Sequence, residues 1–210
     1  MKVSFVFDVI SPFSYLAIKQ LPQLRAEVEF VPVLFAGLLN HHGHTGPAEI
    51  ASKRRFTYRF ALWRAGKMGV VMHMPPSHPF NPLAALRLVI AAGSNRRATE
   101  TLLDAVFMHG RDVSDSAVLA EIANDLGVTD LPAALADPAV KDRLRANTDW
   151  AIARGVFGVP TFVVGDELFW GHDAFEMLLD YLRDPAPFET PEMRRIETLP
   201  VAVTRVRKPT

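Results

Sequence analysis

Residues 3–17, VSFVFDVISPFSYLA, constrain the fold more tightly than any other stretch of the chain. Val3 to Ile10 is a nearly continuous apolar run of β-branched and aromatic residues, the composition of a central strand buried on both faces. It passes straight into Ser11-Pro12, where the serine can cap a helix and the proline sits in the first turn, whose N–H groups have no intrahelical acceptor. A buried strand therefore ends on a turn that opens a helix, with Ser11 and Ser14 three residues apart at the junction. That is the spacing of a C-x-x-C redox pair with both sulfurs replaced by hydroxyls. The chain contains no cysteine, so disulfide and thiolate chemistry by its own side chains is excluded, and any thiol must arrive as a ligand.

The helix after Pro12 carries Leu16, Ala17, Leu21 and Leu24 at helical spacing, with a kink or early stop expected at Pro22. Val28 to Phe35 reads as a second strand, in which Pro32 marks an edge or a bulge. From about Gly37 the pattern turns helical for more than a hundred residues, with helices expected over 48–67, 82–92, 98–109, 115–126 and 138–154. Gly93, Gly127 and Gly155 follow their ends, and Asp137-Pro138 opens the last of them. Strands then return: GVPTFVVGDELFWG is a hairpin with Gly165-Asp166 in its turn, and HDAFEMLLDYLRD is a closing helix. The proline- and arginine-bearing tail after Asp184 is expected to wrap the surface or stay disordered.

The expected fold class is α/β: a thioredoxin-like fold split by a large all-helical insertion, with 1–36 and 155–184 forming the thioredoxin-like part, 37–154 the insertion and 185–210 a tail. A chain of 210 residues that is 49% hydrophobic can bury the core this needs. Its 23 basic and 23 acidic residues balance, which gives no electrostatic reason to expect a nucleic-acid or membrane-surface partner. No stretch is long enough to cross a membrane. The opening apolar run is broken by Asp8 and lacks the form of a signal peptide, so a cytoplasmic location is expected.

Five motifs in order, DVISPFSY, GPAEIASKR, HPFNPLAALR, GVFGVPTF and FWGHD, resemble the 2-hydroxychromene-2-carboxylate isomerases. These are relatives of the kappa-class glutathione transferases within the DsbA-like thioredoxin superfamily. The resemblance runs from about residue 3 to 183. It implies that glutathione supplies the missing sulfur, with Ser11 donating its hydroxyl to the thiolate at the amino end of the first helix. It implies further that Val159, before a cis Pro160, pairs its backbone with the peptide. Gly171, His172 and Asp173 would then receive the γ-glutamyl end, its carboxylate at their backbone N–H groups and its ammonium at the Asp173 carboxylate; Asp173 is also a candidate cap of the last helix. Lys53 reaches glutathione from the insertion, and His44, which stands where the kappa-class pattern has asparagine, is a further candidate contact. The implied reaction is cis–trans isomerisation of an aromatic keto acid in the breakdown of naphthalene-like compounds, by a homodimeric enzyme. A kappa-like transferase that releases a conjugate is the alternative, and a protein that only binds glutathione a third.

Other residues admit two readings on chemistry alone. Asn81, in the proline-rich MPPSHPFNP segment, is either a wall of the substrate cleft or a helix cap. Phe56, Phe60 and Trp63 form a stripe at helical spacing, usually a core face, although Trp63 is also a candidate cleft wall. His41, His42 and His44, with His73 or His78, raise the question of a metal site. No helical spacing such as H-E-x-x-H holds them, so a polar loop lining the cleft is the expectation, with no metal. Ser14 is expected to bond locally or point inward rather than to take part in chemistry.

Overall fold

The computed structural model describes residues 2–203. Four strands, β1 (Lys2–Phe7), β2 (Glu27–Pro32), β3 (Thr161–Val164) and β4 (Glu167–Trp170), form one sheet in the order β2-β1-β3-β4. β1 is one of the two inner strands, and residues 3–7 are all buried. It pairs in parallel with β2 and antiparallel with β3, while β3 and β4 make the expected hairpin. Pro32 ends β2, the edge strand, where a missing ladder donor costs least.

The strand directions decide where the chemistry lies. Because β1 and β3 are antiparallel, with Val6 opposite Thr161, the turn leaving β1 meets the segment entering β3. Because β3 and β4 are antiparallel, with Thr161 opposite Trp170, the chain leaving β4 arrives at the same end. Ser11, Val159 and residues 171–173 are thereby gathered at one end of the sheet.

Helix α1 (Pro12–Gln20) starts at Ser11, whose side chain accepts from the Ser14 N–H, and stops before a 3-10 turn at Leu21–Gln23 that contains Pro22. Between β2 and β3 the chain is helical: α2 (Phe35–His42), α3 (Ala51–Lys67), α4 (Leu83–Ala91), α5 (Arg96–Phe107), α6 (Ser116–Asp125), α7 (Leu131–Ala136) and α8 (Pro138–Ala153). After β4 come a 3-10 turn (His172–Ala174) and α9 (Phe175–Arg183). The five helices expected in the insertion are present, with ends displaced by a few residues. Two others, α2 and α7, are additional, and the expected strand Val28 to Phe35 is cut short because Phe35 already belongs to α2.

One buried cluster joins both parts of the chain: Phe5 and Phe7 of β1 and Tyr15 and Leu16 of α1 share it with Leu86 of α4 and Leu102 of α5. A smaller one on the opposite sheet face joins Val6 and Val163 to Leu38 of α2 and Ala151 of α8. The tail differs from a disordered expectation: Ala186–Glu189 forms a 3-10 turn and α10 (Pro191–Glu197) follows, capped by Thr190. Phe188 packs edge-on against Tyr181 of α9, which ties the start of the tail to the body. The last seven residues of the tail lie outside the described residues. No described helix is long and apolar enough to cross a membrane.

Candidate active site

Ser11 is 7% exposed and sits in extended conformation immediately ahead of α1. Its hydroxyl donates to the Val159 carbonyl at 3.3 Å and accepts from the Ser14 N–H at 3.2 Å. The first of these is long for an O–H···O bond, so the hydroxyl can be redirected at small cost. The Val159–Pro160 peptide is cis, as the resemblance implied. Among the described residues the Val159 N–H has no acceptor, which leaves a strand-like donor beside the serine. Ser14 is fully buried with its hydroxyl unpartnered among the described residues, turned inward and away from any ligand.

A trench and a cavity meet at this point. Phe13 and Val159 line both arms of the trench, one running to His44 and Lys53 and the other to Gly171, His172 and Asp173. Trp170 walls both arms, stacked edge-on over Phe157. Ser11 lines the adjoining cavity of about 250 Å³, which Phe13 and Val159 also border. Its lining is mostly apolar, with Tyr58 and His78 among the few polar side chains.

The trench residues differ in what they offer. Lys53 stands exposed in the first turn of α3. His44 is exposed just after Gly43, whose left-handed φ of 61° ends α2. His172 is buried against the Phe13 ring at 5.1 Å and accepts from Arg64 Nε at 3.2 Å. Burial holds its pKa below the ordinary value. The Asp173 carboxylate is largely exposed; it lies 3.8 Å from His172 Nδ1 and caps no helix. Gly171 differs from expectation, because its N–H is already donated to the Pro160 carbonyl at 2.8 Å. What it contributes is conformation: its φ is 95°, and a Cβ there would press on Asp173 Oδ1.

Trp63 and Asn81, the two candidate cleft walls, lie outside the cavity lining. Trp63 is 54% exposed on α3, stacked on Phe60, with Lys67 over its ring. Phe56 is exposed in the same stack, so this stripe is a surface rather than a core face. The exposed Asn81 accepts from the Leu83 N–H at 3.1 Å, which is the capping alternative, while its neighbours Phe80 and Pro82 face the cavity. Of the histidine group, His41 and His42 end α2, and His42 Nε2 is held at the Val156 carbonyl at 3.1 Å. Among the described residues no three acidic or histidine side chains are arranged to hold a metal ion.

Three cavity residues take their setting from the fold: Asp8 and Tyr58, which sequence context did not single out for chemistry, and His78, which it offered only within the histidine group. Asp8 is fully buried, and its two oxygens accept from the Ile10 N–H at 3.0 Å and the Phe35 N–H at 2.9 Å. Burial pushes its pKa up to about 7 against the opposing pull of those N–H groups. His78 spans the junction of insertion and sheet, its Nε2 at the Ile10 carbonyl at 2.7 Å and its Nδ1 at the Tyr58 hydroxyl at 2.6 Å. Asp8 reads in sequence only as an interruption of an apolar run, and Tyr58 only as part of a helix. Their signal is tertiary.

The family model of the DSBA-like thioredoxin domain matches residues 2–183. A 2-hydroxychromene-2-carboxylate isomerase of Sphingobium xenophagum is 30% identical over 191 residues, covering 87% of this chain and 98% of that one. Glutathione S-transferase kappa 2 of Caenorhabditis elegans is 28% identical over 207 residues, covering 87% and 92%. Among solved structures, a 2-hydroxychromene-2-carboxylate isomerase superposes with a TM-score of 0.79 at 25% identity, covering 90% of this chain and 98% of that one. With its strand–Ser11–helix turn, cis Pro160 and helical block between β2 and β3, the chain belongs to the DSBA-like thioredoxin family, among the relatives of the 2-hydroxychromene-2-carboxylate isomerases and kappa-class glutathione transferases.

Proposed function

We propose that this protein is a glutathione-dependent cis–trans isomerase of 2-hydroxychromene-2-carboxylate-type compounds. The observation that carries the reading is the Ser11 hydroxyl in the wall of an apolar cavity of about 250 Å³, which shares Phe13 and Val159 with a trench of polar ends. The residues present fit glutathione: a Val159 N–H without an acceptor among the described residues for a peptide, the exposed Asp173 carboxylate for an ammonium, and Lys53 for a carboxylate. When bound, glutathione supplies a thiolate that adds to the conjugated double bond, allows rotation about it and is expelled.

Ser11 holds the charge on that sulfur. A free thiol titrates near ~8.5 and is only a few per cent ionised at neutral pH. A neutral hydroxyl donor contributes about 0.5 to 1.5 kcal/mol net. The amino end of α1 adds about 0.3 to 1 kcal/mol, or up to ~2 where partly buried. At about 1.4 kcal/mol per pKa unit, these together lower the thiol by one to two units. Ser11 is largely buried, and Phe13 and Val159 border both compartments.

Product analysis tests the reading. Incubation with 2-hydroxychromene-2-carboxylate and glutathione should yield the trans open-chain keto acid, with glutathione undiminished at the end. Accumulation of a glutathione conjugate in place of the isomer would make the protein a kappa-like transferase.

A further inference from the structure

Ser11 and a bound thiol account for rotation about the double bond, yet a 2-hydroxychromene is a cyclic hemiketal whose ring must open before the double bond can turn. The geometry points to Tyr58 and His78 as the acid–base relay that opens that ring, acting on the 2-hydroxyl of a substrate held in the cavity beside Ser11. This inference rests on the isomerase reading for its substrate and on the following geometry for its residues.

Tyr58 and His78 line the same cavity as Ser11, arriving from α3 and from the loop ahead of α4. A carbonyl oxygen can only accept, so the 2.7 Å contact between His78 Nε2 and the Ile10 carbonyl places the ring proton on Nε2. Nδ1 then carries the lone pair, and the Tyr58 hydroxyl, 2.6 Å away, donates to it. The same hydroxyl is 2.9 Å from the His78 carbonyl, which is available once Nδ1 is protonated. Burial lowers the pKa of the imidazole and raises that of the phenol, so in the resting pair the proton stays on the Tyr58 oxygen. With Nδ1 as its acceptor at 2.6 Å, the Tyr58 oxygen can take up the substrate's proton only as it passes its own to His78, the arrangement by which a histidine activates a hydroxyl in catalysis.

The step balances. Tyr58 Oη takes the proton of the substrate's 2-hydroxyl as its own proton moves to His78 Nδ1. The freed electron pair forms the ketone C=O, and the bond from that carbon to the ring oxygen breaks with its pair on oxygen. The proton on His78 returns through Tyr58 to the phenolic oxygen, so the product is an isomer and both residues are restored.

Ring opening needs no thiol, so it is measured on the full chain with glutathione left out, as NMR exchange between the closed hemiketal and open cis forms of 2-hydroxychromene-2-carboxylate. The wild-type protein should accelerate this exchange over buffer. General acid–base groups contribute 10² to 10⁴, so Tyr58→Phe should lose about 100-fold of that acceleration. His78→Gln should lose a similar factor; its amide can still donate to the Ile10 carbonyl, so the loss separates proton transfer from loop anchoring. Absence of wild-type acceleration, or Tyr58→Phe as fast as wild type, overturns the relay. Catalysed exchange without isomerisation once glutathione is added would uphold the relay and refute the isomerase reading.

Discussion

Asp8 is a fully buried carboxyl just past the end of β1, anchored by two backbone N–H groups. Burial pushes its pKa from 3.8 up to about 7. The sign follows from linkage: the folded state keeps a proton that the unfolded chain has released. The protonated group carries no penalty below about pH 4, and stability then declines as pH rises toward 7, by roughly 4 kcal/mol in total at about 1.4 per pKa unit. Denaturant midpoints of wild type and Asp8→Asn should expose this. The variant should be the less stable protein at pH 4, where its amide cannot accept from both N–H groups, and should gain on wild type by pH 8. A difference that does not change with pH would mean that Asp8 is solvated. Ser11 was legible as a helix cap because turn chemistry is local, whereas the cis Val159-Pro160 beside it was expected only through the family resemblance. Asp8 and Tyr58 were not legible, and His78 only as one of a histidine group, because what brings them together is convergence of segments separated by up to 68 residues.

Among the elements, α2 shows why a helix can be illegible. Its amino end has no capping side chain of its own, since Leu34 occupies the cap position. The missing acceptor comes from Asp8, 27 residues earlier, which takes the Phe35 N–H. Residues 37–42 also end in histidines that read more easily as loop. The hairpin, by contrast, was fully legible from Gly165-Asp166 and its flanking apolar residues. The turn after β4 carries a testable constraint. Gly171 has φ 95° and ψ 157°, a region that L side chains rarely enter, and its missing Cβ leaves room for the Asp173 carboxylate. Gly171→Ala should cost about 1 to 3 kcal/mol in denaturant unfolding. It should also displace Asp173 and weaken glutathione binding by calorimetry. Full stability with unchanged affinity would show that the turn adapts freely and that Asp173 does not hold the ligand.

For the whole molecule, the sheet end supplies Ser11, Val159 and Asp173, and the helical block supplies Tyr58, Phe80 and most of the apolar cavity beside them. Lys53 and His44 reach back from the block into the trench. The two parts share one buried cluster, so the junction where Ser11 lies is packed from both sides. This division was legible as a pattern, strands and helices interrupted by a long helical stretch, whereas the exposure of Phe56 and Trp63 was not. Periodicity marks a stripe but not whether another element covers it. In the proposed function this junction turns a borrowed thiol into a thiolate. The direct measurement is a pH titration of the ultraviolet thiolate absorbance of glutathione bound to wild type and to Ser11→Ala. The thiol bound to wild type should titrate about one to two units below the ~8.5 of a free one, and should move back toward the free value in the variant. A bound thiol that titrates like free glutathione, or identically in the two proteins, would contradict it.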